Sequence, residues 1–402
     1  MSPSTDMFIN PHASAHLSAS TPTTASDRET IKQFHHNLPD FNVTPLLNVP
    51  TLAQQLNVNR VLVKAESSRL GLPAFKILGA SWGVYRSVCA FFELAPAPLV
   101  PLSDLGRKAR DADMTLFAAT DGNHGRAVAR MARLLGVKCA IFAPKGMYPW
   151  TQQFIKDEGA EVVVVGGDYD AAVAECWRVC CDTKGGLMVQ DNAFEGYGVV
   201  PGWISEGYGT MMAEVDEQFD EVLKDAKEDV DGKEITHVVT PIGVGSLGNA
   251  VVKWAKTISA SRKRPLKVVA VEPETAACLN ASLRAGRNTT IGTEDTIMSG
   301  MCCGTVSPIA WQALKEGVDV SVTVGDGECH EMVLEVVKVE LRDEEQREVE
   351  VGPCGAGCLV GLKKVCGDEK VRKVLGLDGD SVVVVLSTEG KREYPVPERL
   401  GT

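Results

Sequence analysis

Four short segments of the 402-residue chain carry residue types whose order and spacing suit chemistry. Lys76 lies in Pro73-Ala-Phe-Lys-Ile-Leu-Gly-Ala80, between Phe75 and Ile77 and directly ahead of an apolar stretch. A lysine is ordinarily a solvated surface charge, but an ammonium desolvated by apolar flanks gives up its proton more readily and attacks carbonyls as the free amine. Gly243-Val-Gly-Ser-Leu-Gly248 follows an apolar run and precedes a helical pattern, so it offers backbone N–H groups and a helix N-terminus to a phosphate. The same G-x-G-x-x-G spacing also marks dinucleotide loops and plain tight packing. The nicotinamide reading is the weaker one, because the loop comes late in the chain. Glu272, at the right distance for a ribose-binding acid, also runs straight into Pro273. The other two segments are Ala119-Thr-Asp-Gly-Asn-His-Gly125 and Leu386-Ser-Thr-Glu-Gly390. Taken alone, Asp121 in Asp-Gly and Asp191 in Asp-Asn read as turn or cap residues. His124 opens a helix beside its loop, as a general base or as a positional or capping residue.

Such turns need strands behind them and helices ahead, since ligands of open α/β sheets sit beyond the carboxyl ends of the strands. Short β-branched runs predict strands at 60–64, 116–119, 138–142, 161–165, 187–189, 237–241, 267–271 and 381–386. Helical patterns lie between them at 77–92, 124–135, 149–158, 169–183, 203–218, 248–257, 308–317, 328–337 and 356–365. Strands apolar along most of their length, alternating with helices, indicate an α/β fold of two parallel sheets covered on both faces. The Ser/Thr/Pro-rich start predicts a flexible tail over residues 1–30. The charge-dense stretches Asp220–Gly232 and Leu341–Glu350 read as exposed.

Composition narrows the function. Charged residues are 23% and apolar residues 44%, ordinary for a globular protein, and the net charge is −12 with no basic stripe. This argues against nucleic acid and anionic membranes as partners. The longest apolar runs are too short to span a bilayer. Twelve cysteines without zinc-type spacing or a signal-peptide pattern fit free thiols in a reducing cytoplasm and no metal site.

In combination and in order, Ser68-Arg-Leu-Gly-Leu-Pro-Ala-Phe-Lys-Ile-Leu-Gly-Ala-Ser81, the Ala119–Gly125 and Gly243–Gly248 loops and Leu386–Gly390 resemble the tryptophan-synthase-β-like, fold-type-II pyridoxal-phosphate enzymes. The likeness is greater to the diaminopropionate ammonia-lyase family, and it runs from about Gln33 to Gly390. It implies two three-layer αβα domains with mostly parallel sheets and pyridoxal 5'-phosphate in the cleft between them. Residues 31–81 with 201–402 would form the large cofactor-binding domain, and 82–200 a small inserted one. Lys76 would be the Schiff-base lysine, Asn123 the partner of the cofactor's phenolic O3′, and Ser387 the hydroxyl facing the pyridine nitrogen. Gly243, Val244, Gly245, Ser246 and Leu247 would hold the phosphate. Asp121 stands where many relatives have serine; the lyases share it, and Gln190-Asp-Asn-Ala-Phe-Glu-Gly-Tyr197 resembles their second acidic motif, which brings Asp191 to the site. The implied catalytic residues are Lys76, Asp121 and Asp191, with Thr120, Asp121, Gly122 and Asp191 around the substrate. The reaction would be α,β-elimination of 2,3-diaminopropionate to pyruvate and two ammonia by a homodimer. Cys278 and Cys303 resemble positions that pair in relatives. The alternatives are a serine or threonine dehydratase, a cysteine-synthase-like β-replacement enzyme, and a nucleotide- or cofactor-binding module without turnover.

Overall fold

Valine-rich runs form strands here because β-branched side chains pack well on a pleated surface, and strands buried on both faces can be apolar at every position. The computed structural model describes residues 6–18, 24–120, 122–225, 233–260, 262–339, 348 and 350–397. In chain order the strands are β1 (Met7–Ile9), β2 (Leu46–Asn48), β3 (Arg60–Ala65), β4 (Thr115–Ala119), β5 (Lys138–Ala143), β6 (Glu161–Val164), β7 (Gly186–Met188), β8 (His237–Pro241), β9 (Lys267–Pro273), β10 (Val320–Val324) and β11 (Val382–Ser387). Two units divide the chain, the first from Met1–Pro22, Asn42–Phe75 and Met211–Thr402, the second from Thr23–Phe41 and Lys76–Thr210.

The first unit holds a seven-stranded sheet ordered β1-β10-β9-β8-β11-β3-β2. Its interior pairs are parallel and its two edge strands antiparallel. One face, with Val61, Val63, Val239, Val269, Val271, Val322 and Val383, packs on the helix Pro353–Gly367 in a single apolar core. The helix Ser246–Ser259 packs on β8 and β9.

The second unit holds a four-stranded, all-parallel sheet ordered β6-β5-β4-β7. Phe117 and Ala119 of β4, with Ala140 and Phe142 of β5, meet Ala172, Cys176 and Cys180 of the helix Tyr169–Asp182. The alternate residues of β4 and β5 point the other way, as the strand period of two requires, and a Cβ on Gly125 would stand 2.8 Å from Ile141 Cγ2. The helices Asn123–Leu135 and Tyr169–Asp182 thus cover opposite faces.

Three features depart from the sequence expectations. Part of the stretch read as a flexible tail is structured: Met7–Ile9 pairs antiparallel with β10, and buried Asn10 donates to the carbonyls of Lys315 and Val318 at 2.8 and 2.7 Å. A three-residue edge strand is too short to show a period. The helix Ala25–His36 starts ahead of Ile31, closed by a capping box between Thr24 and Asp27. It joins the second unit, not the large domain, because Phe34 packs on Trp82 and Tyr85 and His35 bonds Thr210 and the Leu78 carbonyl. The whole helix Lys76–Phe91 belongs there too, so the boundaries fall at 75/76 and 210/211 where the sequence suggested 81/82 and 200/201. Of the two charge-dense stretches, residues 226–232 and 341–347 lie outside the described residues.

Candidate active site

Lys76 is the first residue of the helix Lys76–Phe91, whose side chains from Ile77 to Tyr85 are all buried. The chain ahead of it is fastened to the end of β11: Phe75 N–H donates to the Thr388 carbonyl at 3.1 Å and Gly390 N–H to that of Pro73 at 2.9 Å. The segment that ends at Phe75 is thereby held against the strand end that carries Ser387. Further back, Arg69 forks onto Glu66 and Glu214, and Lys64 bonds Glu214 at 2.7 Å. All four charged groups are buried. Burial pushes the Glu66 carboxyl up, yet the Arg69 guanidinium beside it brings it below its ordinary range. This network was missed in the sequence, where only charges amid apolar neighbours hint at it.

The expected apolar slot around Lys76 is half of the picture. Its Nζ donates to Asp191 Oδ2 at 2.6 Å, with the two side chains 18% and 6% exposed. Burial alone would raise the Asp191 carboxyl, but the Lys76 ammonium and then His124 outweigh it and hold it down to about 2. Asp191 is placed by Gln190, whose amide oxygen accepts from Ala119 N–H at 2.9 Å and whose amide nitrogen donates to the Tyr169 hydroxyl at 2.7 Å. Tyr197 completes the clamp, its hydroxyl accepting from Gln190 N–H and donating to the Met188 carbonyl. The spacing Gln190 to Tyr197 thus has a mechanical purpose.

At the end of β4, the Thr120 hydroxyl accepts from the N–H groups of Gly122 at 2.9 Å and Gly125 at 3.2 Å. With both lone pairs engaged, its O–H remains as a donor for an acceptor such as a substrate carboxylate. Asn123 and His124 open the helix Asn123–Leu135, and His124 is buried. Asp121 lies outside the described residues.

In the first unit the Gly243–Gly248 loop connects β8 to the helix Ser246–Ser259. Gly245 stands at φ +90, and a Cβ there would come 2.8 Å from Leu314 Cδ1, so glycine is needed for backbone and for space. Its N-cap, Gly245, makes no side-chain capping bond, and a helix N-terminus of this kind suits an anion. Ser387 is 1% exposed and its Oγ has no hydrogen-bond partner among the described residues. An orphaned buried hydroxyl is costly unless a ligand atom completes it, and a pyridine nitrogen accepts one such bond. Gly355 lies against it; a Cβ there would be 2.4 Å from Ser387 Oγ. Taken unit by unit, the residues present fit pyridoxal 5'-phosphate: in the first unit the glycine loop suits its phosphate and Ser387 its ring nitrogen, and in the second Lys76 is an amine suited to its aldehyde carbon.

Glu272 removes the nucleotide alternative. Its carboxylate accepts from Leu279 and Asn280 N–H at 2.6 and 2.7 Å, closing the N-terminus of the helix Cys278–Ala285, so it is spent on the fold. Cys278 and Cys303 are both free thiols, as are the other ten. Among the described residues no His/Cys/Asp/Glu group is arranged to hold a metal, and no helix is long and apolar enough to cross a membrane.

The family model described as pyridoxal-phosphate dependent enzyme matches residues 38–389. The mixed α/β architecture with its parallel sheets is that of the fold-type-II class. The diaminopropionate ammonia-lyase of Escherichia coli K12 is 31% identical over 366 residues, 91% of this chain and 88% of that protein. The solved structure of the Escherichia coli enzyme in complex with D-serine superposes with a TM-score of 0.81 at 29% identity, covering 96% of this chain and 93% of that one. The same enzyme in complex with an aminoacrylate-PLP azomethine reaction intermediate gives 0.80 at 30% identity over the same shares. The chain belongs to the pyridoxal-phosphate-dependent enzyme family and, within it, to the diaminopropionate ammonia-lyases.

Proposed function

We propose that the protein eliminates ammonia from 2,3-diaminopropionate, releasing pyruvate and two ammonia, with Lys76, Asp121 and Asp191 moving the protons. The observation that carries this reading is the buried Asp191 carboxylate, held ionised 2.6 Å from the Lys76 amine. A carboxylate so placed suits a substrate that brings a second ammonium, which serine and threonine lack. When bound, pyridoxal phosphate draws electron density from the substrate's Cα and so acidifies its hydrogen. Lys76 would take that hydrogen from the L-enantiomer, and Asp121 would take it on the opposite face from the D-enantiomer. Asp191 keeps the β-nitrogen protonated, so that it departs as neutral ammonia. Asn123 would hold the phenolic oxygen, residues 243–247 the phosphate and Ser387 the ring nitrogen, while the Thr120 hydroxyl and the Gly122 backbone would orient the substrate carboxylate.

The test is release of ammonia and pyruvate from diaminopropionate against serine and threonine. Turnover of serine or threonine with none of diaminopropionate would overturn the reading in favour of a dehydratase. The reading extends to a homodimer, the assembly the family resemblance implies, which light scattering checks. It also places the enzyme in the cytoplasm, where twelve free thiols stay reduced.

A further inference from the structure

Behind the Lys76–Asp191 pair lies a group that the elimination just described does not use. His124 is 4% exposed, and its Nε2 lies 2.8 Å from the Val189 carbonyl oxygen. A carbonyl only accepts, so Nε2 carries the proton and Nδ1 is left with a lone pair. That Nδ1 is buried without a hydrogen-bond partner among the described residues, and Asp191 Oδ2 faces it at 4.0 Å. It is the oxygen that accepts from Lys76. Two electron-rich atoms thus confront each other with no proton between them, in an interior where buried polar atoms are normally paired. Burial keeps the imidazole neutral even though Asp191 favours its charged form; Lys76 opposes that charge, the Tyr208 phenol is in electrostatic reach of Lys76 and Asp191, and the Tyr197 phenol is in reach of Asp191.

We infer that His124 and Asp191 together form a one-proton store, His124 acting through Asp191 and not on the substrate. The inference rests on the elimination reading and adds the path of the proton. An amino acid arrives with its α-amine as an ammonium, and that nitrogen must lose a proton before it becomes a nucleophile. The N–H bond breaks as an O–H bond forms at Asp191 Oδ2. A closure of about 1 Å brings Oδ2 and Nδ1 to hydrogen-bond length, where one proton serves both atoms. Carboxylate and neutral imidazole become carboxylate and imidazolium, or acid and imidazole; either way the pair gains one proton and loses its net negative charge. Once the β-nitrogen has departed as neutral ammonia, the proton passes to it from Oδ2, the O–H bond breaking as the N–H bond of ammonium forms, and the pair regains its starting charge.

His124→Gln in the holoenzyme is the decisive variant, because the glutamine amide can still donate to the Val189 carbonyl but offers no base toward Asp191. The absorbance of bound cofactor and the melting temperature should stay as in the wild type. Meanwhile kcat should fall on the order of 100-fold, with KM little changed and the acid limb of the kcat–pH profile lost. A wild-type kcat and profile would overturn the inference. Should the variant lose its fold or its cofactor, ¹⁵N NMR of His124 in the wild-type holoenzyme decides. Binding of alanine, which has the α-amine but no leaving group, should either protonate Nδ1 or put the Asp191 acid proton in a hydrogen bond to it, and an Nδ1 whose shift stays that of a bare acceptor rejects the store. The kinetic comparison is made on whichever β-substituted amino acid the wild type turns over. An enzyme inactive on diaminopropionate would therefore sink the proposed substrate without deciding the role of His124.

Discussion

Acid should weaken this protein through one histidine on the strand that leads into the glycine loop. His237 opens β8, 2% exposed, with Nε2 2.9 Å from the Leu375 carbonyl and Nδ1 2.7 Å from the Thr236 hydroxyl. The carbonyl fixes the proton on Nε2, so a second proton must be buried on Nδ1. Burial lowers the imidazole pKa from 6.5 to about 4. Between those values the unfolded chain binds a proton that the folded one refuses. The stabilisation is therefore complete above about pH 6.5 and is lost as pH falls toward 4. The full loss is ~3.4 kcal/mol, of which about 2 kcal/mol is gone by pH 5. Urea unfolding of the wild type and His237→Gln at pH 7.5 and pH 5 measures it. Glutamine retains a donor for Leu375 and does not titrate, so the wild type's advantage should shrink by about 2 kcal/mol on acidification. An advantage equal at both pH values would refute the argument. Because β8 leads into residues 243–247, cofactor retention should weaken over the same range.

Lys76→Ala should abolish turnover and the absorbance near ~410–420 nm of lysine-bound cofactor; retained activity would remove Lys76 from its role. Asp121→Asn should lose turnover of the D-substrate preferentially, and equal loss on both enantiomers, read by coupled pyruvate assay, would reject a base on each face. Arg69→Met leaves Glu66 and Glu214 buried without their guanidinium. It should cost about 3–5 kcal/mol in thermal unfolding, and a loss below about 1 kcal/mol would show that the network is not holding the segment ahead of Lys76.

The strands with continuous β-branched character were readable within a residue or two, as β3, β8 and β11 show. β10 was overlooked although Val320, Val322 and Val324 alternate, because Ser321 and Thr323 between them face polar partners, Ser321 lying 3.0 Å from the Asn280 amide. β1 and β2 are three residues long and depend on antiparallel pairing, β1 with β10 far along the chain and β2 with β3, the next strand. The helical pattern expected over 203–218 is two helices, Val199–Gly207 and Gly209–Asp225, broken at Tyr208. A single apolar pattern does not reveal such a break.

By itself the sequence determined the alternation of strands and helices, the lysine ahead of an apolar helix and the glycine loop at a helix start. Each of these is a local matter of side-chain shape, periodicity and backbone freedom. Only the tertiary structure decided what each polar group faces. Asp191 could have been a turn residue, and becomes an ion-pair partner because Gln190 and Tyr197 aim it at Lys76, 115 positions away. Glu272, at the spacing of a ribose ligand, is consumed by a helix N-terminus. His124 gained its significance from a carbonyl that fixes its tautomer and a carboxylate that faces the remaining lone pair. Distances between residues remote in the chain set these electrostatics, and they exist only once each unit has folded.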